Sequence, residues 1–319
     1  MAAPLRWGII GTGGIAHRFA SDLRLVEDGV VAAVGSRTLE GADAFGDEFE
    51  VARRHGSYEE LVADPDVDAV YVATPHPFHH ANARLALEND KPVLVEKAFT
   101  MTGDEARDLV EFARSRRLFL MEAMWTRFLP HVIAVREIVA SGELGELVLV
   151  SADHGQWFER DAASRVFAPE LGGGALLDLG VYPVSFASMV LGAPQRLAAL
   201  VVPCFTGVDG QVSMVFGYAS GAQALLTCTL LARTATRVSV VGTAARIEID
   251  GPFYAPTSFA VVARDDTVRE YRFSTRGRGL HYQASEVARC LAGGELESPW
   301  MPLDETIQIM DTMEKVLAL

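Results

Sequence analysis

The residues able to do chemistry fall into separate strings. Gly11-Thr12-Gly13-Gly14-Ile15-Ala16 fits G-x-G-x-x-A at Gly11, Gly13 and Ala16, after an apolar run and before a helical pattern. That context makes it a phosphate cradle. Gly11 turns the chain, Gly13 lets backbone N–H groups approach a pyrophosphate, and Ala16 permits close helix packing. Some twenty residues later, where an acid would bind ribose hydroxyls, the chain reads Ser36-Arg37-Thr38. Ser36 and Arg37 suit a 2′-phosphate, so NADP is expected, with NAD as the alternative. Ser36 or Thr38 also suits an N-cap.

Two further strings follow apolar runs. Thr74-Pro75-His76-Pro77-Phe78-His79-His80 carries three histidines, and Glu96-Lys97 ends another run. A lysine directly after a buried strand is costly without a partner or a task. The histidines lack a nearby Cys or acid to complete a ligand set, so no metal is expected. Finally, Gly172-Gly173-Gly174 precedes Asp178 and Tyr182, which are four apart and share one face of a helix. The glycines allow a close backbone approach at that point.

These strings must be positioned by elements, and the periodicity supplies them. Apolar runs at 7–10, 30–34, 69–73 and 93–95 read as strands buried on both faces. A short strand near 53–55 and another at 118–121 join them. Helical stretches at 15–23, 39–49, 58–62, 79–88 and 104–115 lie between, the rhythm of a doubly wound sheet. From about Met124 the rhythm stops. A long helix is expected over 126–141, a strand over 146–152, and a helix opened by the glycine cluster and running to Leu191. Beyond Pro194 come successive strands without crossover helices, the mark of an antiparallel sheet. Helices near 282–291 and 303–317 close the chain.

The expected fold class is an α/β Rossmann domain over 1–123 plus an α+β domain over 124–319 with an open, mostly antiparallel sheet. The last helix is free to pack back on the first domain. Two domains suit 319 residues. Helices 126–141 and 174–191 would cover one face of the open sheet. The other face suits a second copy, giving a homodimer or larger homo-oligomer.

A formal net charge of −14 argues against a nucleic-acid partner, which needs clustered Lys and Arg. Three scattered cysteines read as free thiols in a reducing compartment. The first strand begins too early to leave room for a signal peptide, and no membrane-span run is expected. A soluble cytoplasmic protein is the expectation.

Gly11–Ala16, Glu96-Lys97 and Gly173-Gly174-x-x-x-Asp178-x-Gly180-x-Tyr182-Pro183 resemble the glucose-fructose oxidoreductase / inositol dehydrogenase / rhizopine catabolism family. Met121-Glu122-Ala123-Met124-Trp125-Thr126-Arg127-Phe128-Leu129-Pro130 is similar to its dimeric dihydrodiol dehydrogenases and NADP-dependent xylose dehydrogenases. The resemblance spans essentially the whole chain. It implies that Lys97, Asp178 and Tyr182 are catalytic, with Ala98 standing where the family carries a proline. The implied reaction is hydride transfer from a secondary hydroxyl of a sugar, polyol or cyclic diol. Tyr182 would be the general base and Lys97 its helper. Asp178 would orient Lys97 or accept from a second hydroxyl. Cofactor contacts are expected from Gly11, Thr12, Gly13, Gly14, Ile15, Ser36, Arg37, Thr74, His76, His79, Glu96 and Lys97. Trp125 and Phe158 would wall the substrate, with Arg127 a polar contact. Two other behaviours occur in this fold: NADP sensing without turnover, and nicotinamide-dependent glycoside cleavage.

Overall fold

A computed structural model describes residues 3–319. The chain forms two units, one of residues up to Phe128 with Arg276–Ile307, the other of Leu129–Thr275 with Gln308–Leu319.

The first unit alternates β1 (Leu5–Ile10), α1 (Gly14–Leu23), β2 (Gly29–Gly35), α2 (Leu39–Phe49), β3 (Arg53–His55), α3 (Tyr58–Val62), β4 (Ala69–Val72), α4 (His79–Glu88), β5 (Val93–Glu96), α5 (Gly103–Arg116) and β6 (Leu120–Ala123). The strands lie in the order β3-β2-β1-β4-β5-β6 and every pairing is parallel. The order reverses between β1 and β4, where doubly wound sheets bind nucleotides beyond the strand ends. The apolar runs form strands because both faces are covered: Ile9, Val70, Val72, Val93 and Val95 have no exposed surface. β6 lies two residues later than the 118–121 expected from the apolar pattern, which brings Glu122 into the sheet.

The expected long helix over 126–141 is two elements. A 3₁₀ turn, Trp125–Phe128, precedes α6 (Pro130–Ala140). Pro130 pushes Leu129 into extended backbone, at φ −70° and ψ 140°, and then starts α6 at its first position.

The second unit continues with β7 (Leu147–Gly155), a π turn (Leu176–Gly180), α7 (Val181–Leu191), β8 (Arg196–Pro203), β9 (Asp209–Gly217), β10 (Gln223–Thr229), β11 (Val238–Gly242), β12 (Ala245–Ile249), β13 (Phe259–Ala263) and β14 (Val268–Tyr271). The sheet order is β14-β13-β12-β11-β7-β10-β9-β8. Only β7 and β10 pair in parallel. β8 falls in the strand-rich region expected after Pro194.

Alternation decides the faces of this sheet. Val212, Met214 and Phe216 on β9 and Ala224, Leu226 and Cys228 on β10 are buried. Their neighbours Val215 and Leu225 are 45% and 42% exposed, and Leu200 on β8 is 68% exposed. The stretch Pro169–Leu191 is long and apolar enough to span a membrane, unlike the expectation; 83% of its apolar window is buried. It is apolar on all sides because it is the unit's core helix.

α8 (Leu280–Ala292) and α9 (Leu303–Leu317) end the chain. The first helix lacks a side-chain cap of its own, and Asp22 at the end of α1 supplies one. Its carboxylate accepts from Arg278 N at 3.0 Å and Leu280 N at 2.8 Å. That ties 276–307 to the Rossmann unit. The border expected at 123/124 therefore stands against a first unit that reaches Phe128 and takes back this later segment.

Candidate active site

In the first unit the glycine string forms the turn between β1 and α1. Gly11 has φ +100°, and a Cβ there would lie 3.0 Å from the Ala73 carbonyl oxygen. Only glycine fits this position. Gly13 and Gly14 differ, because a Cβ on either would meet nothing within 4 Å. The protein itself therefore leaves that space free. Gly13 is the N-cap of α1, with no side-chain cap and no acid in the first turn. Thr12 and Ile15 flank it, half-buried. Free N–H donors, a positive helix end and open space together fit a pyrophosphate.

At the end of β2, Thr38 is the N-cap of α2 and accepts from Gly41 N at 3.2 Å. Ser36 and Arg37 are thus left for other work. Arg37 is exposed, and its charge acts on the Tyr58 phenol, which burial pushes above its ordinary range.

The ends of β4 and β5 are joined by His79. Its Nε2 lies 2.7 Å from the Thr74 carbonyl and its Nδ1 2.8 Å from the Ala98 carbonyl. His79 has no exposed surface, and burial holds its pKa down. It was expected among the cofactor contacts; the geometry makes it a brace between two strand ends. Thr74 Oγ1 accepts from Asn82, and His76 is 6% exposed with its ring 5.5 Å from His79. Glu96 is buried and accepts from the Tyr71 hydroxyl and from Lys97 N. Lys97 is half-buried, and its peptide bond to Ala98 is cis.

Arg127 requires a correction. Expected as a polar substrate contact, it is 2% exposed and forks onto Glu305 at 2.9 and 2.7 Å. A bidentate pair of this kind fixes structure. It anchors the 3₁₀ turn that carries Trp125, itself 8% exposed.

In the second unit the glycine cluster is explained by its own chain. Gly174 has φ +130°, and a Cβ there would come within 2.1 Å of Asp209 Oδ1. Asp209 Oδ2 accepts from Leu176 N at 2.6 Å. The close approach allowed by glycine is to this carboxylate, which holds the start of the π turn. Burial raises the Asp209 pKa to about 6 against those backbone hydrogen bonds.

The π turn carries Asp178, and Tyr182 lies just beyond it in α7. Asp178 is 4% exposed and takes a fork from Arg165 at 3.1 and 3.3 Å. Tyr182 is 7% exposed and packs against two rings that periodicity did not flag, His154 at 5.2 Å and Tyr254 at 5.1 Å. Gln156 joins them, its Nε2 lying 3.0 Å from His154 Nε2 and 3.4 Å from the Tyr254 hydroxyl. Phe158 is half-buried beyond Gln156, and its N–H donates to Leu230 O. The observed alternation along β7 puts His154 on the covered face; the strand expected over 146–152 stopped short of it. Among the described residues no group of three His, Cys, Asp or Glu is arranged to hold a metal.

Comparison with known proteins agrees with this layout. Residues 5–124 match the model of an oxidoreductase family with an NAD-binding Rossmann fold. Residues 132–248 match the GFO/IDH/MocA C-terminal domain. The chain is 38% identical to the trans-1,2-dihydrobenzene-1,2-diol dehydrogenase of Bos taurus, over 98% of this chain and 96% of that one. It is 37% identical to the NADP(+) D-xylose 1-dehydrogenase of Hypocrea jecorina, over 98% and 91%. A 3-ketoreductase from Actinomadura kijaniata, solved with NADP and TDP-benzene, superposes with TM-score 0.88 at 26% identity, over 99% and 97% of the chains. An aldose-aldose oxidoreductase from Caulobacter crescentus shares the fold at TM-score 0.90 and 24% identity, over 99% and 97%. The glycine turn opening on a bare helix end, and the acid–tyrosine string on a sheet-packed helix, are thus those of a GFO/IDH/MocA family oxidoreductase, the family to which this chain belongs.

Proposed function

We propose that this protein is an NADP-dependent dehydrogenase that oxidises a secondary hydroxyl of a sugar, polyol or cyclic diol, with NAD as the weaker cofactor. The observation that carries the reading is the unfilled space over Gly13 and Gly14, at an uncapped helix end. The relatives named as diol and xylose dehydrogenases support the substrate class. The backbone of Gly11, Thr12, Gly13, Gly14 and Ile15 would hold the pyrophosphate, and Ser36 and Arg37 the 2′-phosphate. When bound, the nicotinamide supplies the hydride acceptor.

In this reading Tyr182 takes the proton of the hydroxyl being oxidised. A free phenol titrates at ~10, so making a base of one at neutral pH requires roughly 4 kcal/mol. The Lys97 ammonium supplies it by favouring the phenolate. Asp178 orients its partners or accepts from a second substrate hydroxyl. Trp125 and Phe158 provide the apolar wall.

The test is absorbance at 340 nm with NADP and a panel of pentoses, hexoses and cyclic diols. Tyr182→Phe and Lys97→Met should each abolish turnover while NADP still binds. A Tyr182→Phe enzyme with normal kcat refutes the assignment. Tight NADP binding without turnover on any compound would instead indicate a sensor, and aglycone release without net cofactor reduction a glycosidase. We further propose a cytoplasmic homodimer or larger homo-oligomer built on the open sheet face bearing Leu200, Val215 and Leu225. A monomer at micromolar concentration by light scattering contradicts it.

A further inference from the structure

The segment Leu179-Gly180-Val181-Tyr182-Pro183 contains a local contradiction. In α geometry the carbonyl of residue 179 accepts from the N–H of residue 183. Residue 183 is proline and has none. The Leu179 oxygen is thereby denied the α-helical donor, and it takes a tight contact from the Val181 N–H two residues on. It faces the interior, where an unmet carbonyl is costly.

His154 supplies what is missing. It lies next to the end of β7, 1% exposed, and its Nδ1 is 3.1 Å from the Leu179 oxygen. A carbonyl only accepts, so Nδ1 carries the proton. In the neutral ring Nε2 is then an acceptor, and Gln156 presents its amide nitrogen to it at 3.0 Å. The ring is held on both sides. It stacks on Tyr254 with centroids 4.5 Å apart and planes 26° apart, and meets Tyr182 edge-on at 67°.

The strand below is fitted to the same turn. Cys228 on β10 is the cross-strand neighbour of His154, and a Cβ on Gly180 would lie 2.8 Å from its sulfur. The π turn therefore rests on two adjacent side chains. Cys228 sets its height, and His154 bonds the carbonyl next to the tyrosine. Single π turns often mark functional sites, where they aim a side chain.

We propose that His154 is a positioning residue for Tyr182, its Nδ1–H replacing the donor that Pro183 cannot give and so fixing the turn from which the phenol projects. This rests on the reading of Tyr182 as the base. His154 need not touch substrate; it acts through the Leu179 carbonyl and by packing on the phenol ring.

The inference ties His154 to Pro183, which a generic packing role would not. The test is a double-mutant cycle in the full-length enzyme, using the panel compound with the highest wild-type rate. His154→Phe keeps an aromatic ring and removes the donor. Pro183→Ala gives the Leu179 oxygen its helical N–H. His154→Asn keeps a donor near the place of Nδ1. His154→Phe should lower kcat roughly 10- to 100-fold, the scale of a displaced catalytic group, with the NADP Kd unchanged. His154→Asn should recover part of the loss. In the Pro183→Ala background, His154→Phe should cost less than about twofold, within the additivity limit for a removed coupling. Near-UV circular dichroism and melting curves identify any variant that misfolds; the rescue by Pro183→Ala is then read from the folded set. An equal loss in both backgrounds, or a His154→Phe kcat within threefold of wild type, overturns the proposal. If Tyr182→Phe is inactive while either of those holds, only the positioning role falls. If Tyr182→Phe is fully active, the base assignment falls and takes this inference with it.

Discussion

Glu122→Gln should make the Rossmann unit more stable in alkaline than in acid solution relative to the parent, because the buried carboxyl ionises late in the folded state. Glu122 has no exposed surface on β6. Its Oε2 accepts from Thr306 at 3.3 Å, and Oε1 has no hydrogen-bond partner. Burial raises its pKa from 4.5 to about 7, against the attraction of Arg127 and with repulsion from Glu305 and Glu96. The folded pKa lies above the unfolded one, so the native state binds the proton more tightly. Stability from this group is complete below pH 4.5 and is lost as pH rises through about 7. Between pH 5 and pH 8 the native carboxyl releases most of its proton, while the unfolded one has already done so. Integrating the difference gives nearly two proton-units, or roughly 2–3 kcal/mol. Glutamine cannot ionise, so that swing disappears. Any fixed cost of burying the amide, of order 1–3 kcal/mol, is the same at both pH values and cancels. Urea unfolding followed by tryptophan fluorescence, at pH 5 and pH 8 for both proteins, measures the quantity. The variant-minus-parent difference should grow by roughly 2–3 kcal/mol from acid to alkali. A change under about 0.5 kcal/mol would mean that Glu122 is not held neutral by its surroundings.

Two substitutions separate the second unit from the first. Gly174→Ala forces a methyl group onto Asp209 in a backbone conformation that L-residues avoid, and should destabilise by roughly 2–4 kcal/mol and lower kcat while the NADP Kd is unchanged; wild-type melting and kinetics would show that the turn has room. Arg37→Ala should weaken NADP by roughly tenfold or more and leave NAD nearly unaffected, as measured by fluorescence titration. Equal losses for the two cofactors would remove Arg37 from the 2′-phosphate site.

How much of this was legible in the sequence follows from where each feature has its cause. The parallel strands were readable because a strand buried on both faces must be apolar throughout, as Val93–Val95 is. The glycine turn was readable because a strand, a turn and a helix adjoin in the chain. The break at Pro130 was also local, and its effect on Leu129 is a rule of backbone sterics that outweighs the apolar periodicity running through it. The remaining features depend on partners far away in sequence. Gly174 announced a close approach without saying that Asp209 makes it. Arg127 looked like a loose cation until Glu305, near the other end of the chain, claimed it. An arginine fork near a site string matches a ligand carboxylate and a protein carboxylate equally well, so residue type alone could not decide between substrate contact and internal anchor. Pro183 is the intermediate case. The sequence states that a carbonyl four residues back has lost its donor, and buried carbonyls must find one. The need could be deduced from Leu179 and Pro183 alone; that His154 meets it depends on β7 pairing beside β10 beneath the π turn, a register no local pattern encodes.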